Sequence, residues 1–260
     1  MYFCLKKEIK MNFEILFDKI RNGEITREEA KKFISLEISE TAKKSILDIN
    51  REIRTGIPEI IYAEHKTLEQ VLDIVESIMK KEELLIISRF KNNNDIISAL
   101  KDKFKIHNSE KVLIIGELPK PVAKVLVISA GSADNPITDE VYYTLKAIAI
   151  EPVIFRDRGI AHPTRVIEAI QEGIKNNVKV AVVIAGMEGA LASFVSSLVN
   201  MPVIGVPTSV GYGYKAGESA LIAMLSACTP NLAVVNIDGG IRAAVIASLI
   251  AKNSYNNENV

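Results

Sequence analysis

Five short β-branched runs in the second half of the chain constrain its fold more than any other feature: Val125 to Ser129, Val153 to Phe155, Val180 to Ala185, Val203 to Val206 and Ala233 to Ile237. Each ends in or near small residues and leads into a helical pattern. Apolar side chains at consecutive rather than alternate positions mark strands covered on both faces. Strands alternating with helices predict an α/β fold: a three-layer, doubly wound parallel sheet, flavodoxin-like or Rossmann-like, with right-handed crossovers. Such a sheet gathers the C-terminal ends of its strands on one edge, where open α/β sheets bind ligands. The chemistry is therefore sought in the loops that leave that edge.

The first part, to about Lys120, is charged and mostly helical in pattern, which predicts a smaller accessory domain over residues 1–120 beside a catalytic domain over 121–260. Phe13, Leu16, Phe17 and Ile20 fall at helical spacing, and Thr26 with Glu29 and Thr67 with Gln70 read as capping boxes. Leu84 to Ser88 and Val112 to Gly116 read as buried strands flanking a helix near Asp95 to Lys103, so some βα content starts early. Because Met11 opens the first amphipathic segment, Met1 to Lys10 reads as a leader or a mis-assigned start. Asn253 to Val260 is a polar tail.

Hydrophobic residues make up 48% of the chain, which is ample for a buried core. The 32 basic and 32 acidic residues balance, without the cationic excess that nucleic-acid binding requires. No apolar run reaches the roughly 18 to 20 residues of a bilayer span, so a cytoplasmic protein is expected. Cys4 and Cys228 read as two free thiols, and no metal-ligand spacing is present.

Three loops at the expected binding edge carry the candidate chemistry. Ser129-Ala130-Gly131-Ser132-Ala133-Asp134-Asn135-Pro136 has the glycine, hydroxyls and amides to cradle a phosphate at a helix N-terminus, and equally the residues of a plain turn and cap. Ala185-Gly186-Met187-Glu188-Gly189-Ala190 sets a carboxylate among small residues, where partial desolvation would raise it toward general-base work, or where it simply favours a helix start. Val206 to Tyr214 contains Thr208, Ser209 and the Gly211-Tyr212-Gly213 triplet, which permits close backbone approach to a flat or phosphorylated ligand. Cys228 closes a helical pattern with Leu221, Met224 and Leu225, and by itself reads as a small core thiol. His65 and His107 lie in the charged part, and His162 either faces the edge or caps a turn.

Taken together and in order, AGSADNP, AGMEGALASFVSSLVNMPVIGVPTSVGYG, and AMLSAC followed by AVVNIDGG resemble the LarB family of nickel-pincer cofactor biosynthesis. The C-terminal domain of that family is similar to the aminoimidazole ribonucleotide carboxylases of the PurE type, so the resemblance implies a PurE-like fold from about Lys124 to Ala247. The stretch from Asp48 to Tyr62, with Lys66-Thr67, also looks like the LarB pattern, which PurE enzymes lack. PurE enzymes place a histidine where this chain has Ala190, which disfavours the purine reaction. The chain departs from the LarB pattern at His65, at Thr164 and at Gly239-Gly240-Ile241-Arg242.

The resemblance implies that Cys228 and Glu188 are catalytic. The implied reaction carboxylates nicotinic acid adenine dinucleotide at ring carbon 5 and hydrolyses its phosphoanhydride, giving pyridinium-3,5-biscarboxylic acid mononucleotide and AMP. Expected substrate contacts come from Gly131, Ser132 and Asp134; from Gly186, Met187 and Gly189; from Thr208, Ser209, Gly211, Tyr212 and Gly213; and from Arg51, Arg54 or Lys66 at the second phosphate. Neither a tightly bound cofactor nor a metal is expected, carbon dioxide or bicarbonate being the co-substrate, and the implied assembly is a homo-oligomer, from dimer to octamer. The alternatives are a PurE-like carboxylase or mutase acting on an aminoimidazole ribonucleotide, and a non-catalytic nucleotide-binding module.

Overall fold

The helical spacing at the N-terminus becomes α1 (Phe13–Arg21), which buries Leu16 and leaves Phe17 exposed. This comes from a computed structural model that describes residues 13–26, 29–30, 40–42, 45–47, 55–80, 82–91 and 93–258. Met1 to Lys10, Arg51 and Arg54 lie outside the described residues. Thr26 and Glu29 close the expected capping box: the Thr26 amide donates to Glu29 Oε2 at 2.8 Å and the Glu29 amide to Thr26 Oγ1 at 3.2 Å. Glu40–Ala42 (β1) pairs antiparallel with Ser45–Leu47 (β2). These elements belong to one compact unit, Met1–Arg51, and all that follows to a second, Glu52–Val260.

The second unit opens with a mixed four-stranded sheet. Ile60–Tyr62 (β3) leads through the Thr67–Gln70 capping box into α2 (Leu68–Ile78), then Leu84–Ser88 (β4), α3 (Asn93–Leu100), Ile106–Asn108 (β5) and Val112–Gly116 (β6), in spatial order β3-β4-β6-β5. β4 and β6 are the two runs the sequence marks as buried strands. β3 and β5 are three residues each, too short to carry a pattern.

The apolar runs then form the parallel sheet. Its strands are Ala123–Ser129 (β7), Ile150–Phe155 (β8), Ala181–Ala185 (β9), Val203–Pro207 (β10) and Leu232–Val234 (β11), in order β11-β10-β9-β7-β8. Counted from β7 this is the 2-1-3-4-5 winding of flavodoxin-like sheets, whose topological switch lies between the first and third strands. The last strand differs from the expected Ala233 to Ile237. After the Val235 amide bonds Gly205 O at 3.0 Å, the chain leaves the ladder in a turn closed by Gly239 N to Asn236 O.

Side chains alternate across the sheet. Val125, Val127, Val182 and Ile184 face one layer, with α4 (Asn135–Ala147) and α8 (Gly240–Glu258). Leu126, Ile128, Ala181 and Val183 face the other, with α5 (Pro163–Lys175), α6 (Ala190–Leu198) and Met224 of α7 (Glu218–Leu225). Ile86 and Ile114 of the mixed sheet join the first layer, so α4 lies between the two sheets. That position buries Glu140 and Thr144, on a helix side that would otherwise meet water. The polar tail is helical to Glu258, held in part by the Tyr255 hydroxyl donating to Asn177 O at 2.7 Å.

Candidate functional site

The loops after β7, β9 and β10 meet at the switch point. After β7 the chain turns through a short 3-10 segment, Ser132–Asp134, in which the Gly131 amide donates to Asp134 Oδ2 at 2.9 Å. The Thr208 hydroxyl, at the end of β10, donates to Asp134 Oδ1 at 2.7 Å. Asp134 is buried, and burial pushes its carboxyl above the ordinary range; the bonds from Thr208 and Gly131 hold it down in part, and the charge of Asp238 adds to the rise. Both Asp134 oxygens are thus spent on tying the β7 loop to β10, while Ser132 stays exposed.

The β9 loop packs backbone against backbone. A Cβ on Gly186 would lie 2.6 Å from Val210 O and 2.7 Å from Thr208 Oγ1, and one on Gly213 would lie 2.8 Å from Met187 Cα. Within the chain, the close approach that Gly213 permits is therefore to Met187. Met187 itself has φ 54°, and Ser219 at the start of α7 donates its hydroxyl to Met187 O at 2.5 Å. Gly189, at φ 67°, begins α6 with no room for a Cβ, since Ala220 O would be 2.9 Å away. Glu188 projects from this loop exposed to water.

Ser209 is held by a residue that the sequence reading does not single out. Its amide and hydroxyl donate to the two oxygens of Asp238, at 2.9 and 2.6 Å, and the Asp238 amide donates to Pro207 O at 2.8 Å. Asp238 O in turn accepts from the Arg89 guanidinium, which follows β4. Arg89 Nε also lies 3.3 Å from Glu140 Oε1, which accepts the Ser88 hydroxyl at 2.9 Å. Burial works against the charge on Arg89, but the Glu140 carboxylate beside it holds the guanidinium above its ordinary value. The mixed sheet is thereby fastened to the β10 loop. A usable signal is Arg89 itself, a cation directly after a buried strand, and the acid of Ile237-Asp238-Gly239 at the binding edge.

Beside the β7 loop lies the segment after β8. Arg158 donates its amide to Ser129 O at 2.8 Å, a Cβ on Gly159 would sit 3.2 Å from Ala130 O, and Arg156 pairs with Asp139 at 2.5 Å. His162 occupies the position before α5 without capping it, its Nδ1 2.8 Å from Thr164 Oγ1. Lys66 sits in the turn before α2, its amide donating to Ala63 O at 3.1 Å.

Cys228 stands elsewhere. It is an exposed free thiol, not a core one. Both α6 and α7 start at the loop edge, where Gly189 meets Ala220, and run toward the opposite edge of the sheet. Just past the end of α7, Thr229 Oγ1 lies 2.7 Å from Ser196 Oγ in the last turn of α6, and Asn231 Nδ2 donates to Val199 O and Met201 O where β10 begins. Seven residues separate Gly189 from Ser196, about 10 Å of helix. Gly131, Asp134, Gly186 to Gly189 and Thr208 to Gly213 come together in one chain, and Cys228 does not join them.

The AIR carboxylase family model matches residues 124–259, and that of the LarB/PurE-like N-terminal domain matches residues 39–117. The chain is a LarB-like member of the AIR carboxylase family. An uncharacterized protein of Methanocaldococcus jannaschii is 36% identical over 251 residues, covering 93% of this chain and 97% of that protein. The LarB-like chain thus combines a PurE-type C-terminal domain with an N-terminal domain of its own and has a carboxylase-family role. Among the described residues no helix is long and apolar enough to cross a membrane, and no group of three His, Cys, Asp or Glu side chains is placed to hold a metal ion.

Proposed function

We propose that the chain carboxylates the pyridinium ring of nicotinic acid adenine dinucleotide and hydrolyses the phosphoanhydride, releasing pyridinium-3,5-biscarboxylic acid mononucleotide and AMP. The observation that carries the reading is that the chain exposes both a free thiol, Cys228, and, in a binding-edge loop without histidine, a carboxylate, Glu188. The matched N-terminal model, which goes with LarB, supports the same reading.

A pyridinium ring is too electron-poor to attack carbon dioxide. The Cys228 thiolate adds at ring carbon 4 and its electron pair neutralises the ring nitrogen, leaving an enamine whose carbon 5 is nucleophilic. Carbon 5 forms the new bond to carbon dioxide, and the ring nitrogen regains its positive charge. Glu188 takes the proton from carbon 5, which restores the enamine; the nitrogen lone pair then expels the thiolate and the ring is aromatic again. Water cleaves the anhydride in a separate step. The exposed hydroxyl of Ser132, in the turn before α4, suits a phosphate, with Asp134, Thr208 and Asp238 holding the loops in shape.

The test is to incubate the purified protein and its Cys228→Ala variant with the dinucleotide and bicarbonate, and to record mass spectra of the small molecules and of the intact protein. AMP and a mononucleotide heavier by one carboxyl group, formed by the unaltered protein alone, are expected. An unchanged dinucleotide with consumption of aminoimidazole ribonucleotide, undiminished in Cys228→Ala, would establish the purine reaction instead. Binding of the dinucleotide without change in either protein would mark a non-catalytic module.

A further inference from the structure

We infer that Arg89 is a positioning residue for the proposed base: from the end of β4 it sets, through Asp238 and the β10 loop, where the loop that carries Glu188 stands. The inference rests on the reading above, in which Glu188 takes the proton from carbon 5. It gives the mixed sheet a part in the reaction beyond covering α4.

The path from Arg89 to Glu188 is continuous. The guanidinium donates to Asp238 O, and Asp238 takes the amide and the hydroxyl of Ser209 on its two carboxylate oxygens, at 2.9 and 2.6 Å. From Ser209 the β10 loop runs against the β9 loop with no slack. Val210 O would be 2.6 Å from a Cβ on Gly186, and Met187 Cα would be 2.8 Å from one on Gly213. Met187 is bonded directly to Glu188, so a shift of the β10 loop moves the carboxylate.

The near end of the path needs a guanidinium. Its Nε lies 3.3 Å from Glu140 Oε1, its Nη1 donates to the Tyr62 hydroxyl at 3.3 Å and its Nη2 reaches the Asp238 carbonyl, directions that one planar fork satisfies and an ammonium does not. Glu140 is fixed in turn by the Ser88 hydroxyl, and the Tyr62 hydroxyl donates to Glu64. The backbone points the same way. Arg89, Asp238 and Met187 have φ of 58°, 56° and 54°, the left-handed region that residues with a Cβ rarely adopt. Such conformations persist where the surroundings over-determine them, and they gather where a site is held in one shape. Here one stands at each joint between the mixed sheet and Glu188.

The two sheets are also joined by an apolar layer, in which Ile86 and Ile114 share a core with Ile137 and Val141 of α4. Losing the guanidinium therefore frees the loop before it frees the sheets. Its effect falls on the rate of proton removal, which depends on where the base stands to within a fraction of an ångström.

Arg89→Gly suits the left-handed φ and removes the guanidinium alone, and pairing it with Glu140→Gln avoids a buried carboxylate without its cation. The double variant, Glu140→Gln and the unaltered protein are assayed with bicarbonate and the dinucleotide carrying protium or deuterium at ring carbon 5. In the double variant kcat is expected to fall about 10- to 100-fold, and less far in Glu140→Gln, which keeps Arg89. The deuterium effect rises as proton removal becomes limiting, and millimolar guanidinium restores part of the rate. Hydrogen exchange of peptides covering residues 186–189 and 208–213 is expected to quicken in the double variant while that of β9 and β10 holds. Ile96→Val, a change in the buried face of α3, is the control and is expected to keep kcat. Undiminished kcat in the folded double variant, an equal loss in Ile96→Val, or unchanged exchange in the loop peptides overturns the inference. Quickened exchange in a protein that leaves the dinucleotide untouched supports the part given to Arg89 and overturns the reaction instead.

Discussion

At Gly186 and Gly213, glycine is set by what the neighbouring loop does. A methyl group on Gly186 would meet the Val210 carbonyl at 2.6 Å, and backbone atoms cannot step aside. Gly186→Ala is expected to cost about 1–3 kcal/mol of stability. Gly131→Ala, whose Cβ would meet nothing closer than 3.9 Å, is expected to change stability by less than about 0.5 kcal/mol. Denaturant midpoints distinguish the two. Asp134 gives a pH signature. Its carboxyl is raised above the ordinary 3.8, so its contribution to stability is full below that value and is lost as pH rises through the raised one. Asp134→Asn has nothing to ionise there and is expected to gain on the unaltered protein between about pH 4 and about pH 7, checked by urea unfolding at both.

At the scale of elements, the unusual member is α4. Its register puts Val141 and Leu145 on the parallel sheet, and the opposite face would be solvent in an ordinary doubly wound fold. The mixed sheet covers it, leaving Glu140 1% exposed with Arg89, 24% exposed, as its cation. Glu140 Oε2 has no hydrogen-bond partner and lies where a Cβ on Gly240 would come within 2.6 Å. Arg89→Met leaves that carboxylate buried and uncompensated and is expected to cost about 3 kcal/mol. Adding Glu140→Leu returns much of the loss, because two apolar groups replace a broken ion pair; a double-mutant cycle measures the coupling. Since Arg89 also holds the Asp238 carbonyl, and Asp238 holds Ser209, the same variant loosens the β10 loop.

At the scale of the whole molecule, Ile222 and Leu225 carry the last prediction. Both are exposed, so Ile222→Asp is expected to leave the circular dichroism of the fold unchanged and to change its stability by less than about 0.5 kcal/mol, read by urea unfolding. The parallel sheet, both capping boxes and the strands β4 and β6 are legible in the sequence, because each rests on a local rule: consecutive apolar residues, or a hydroxyl three residues before a glutamate or glutamine. The three loops at the binding edge follow from the same rule, since strand direction fixes which ends meet. By itself, then, the sequence determined the parallel sheet, the edge where the ligand loops gather and, through its motifs, the LarB-like family. Only the tertiary structure decided that Arg89, Glu140 and Asp238 form one chain of contacts, and that Cys228 lies a helix length from Glu188. Those facts depend on which faces pack together and how far helices run before the chain turns, and packing between distant segments leaves no periodicity in either of them.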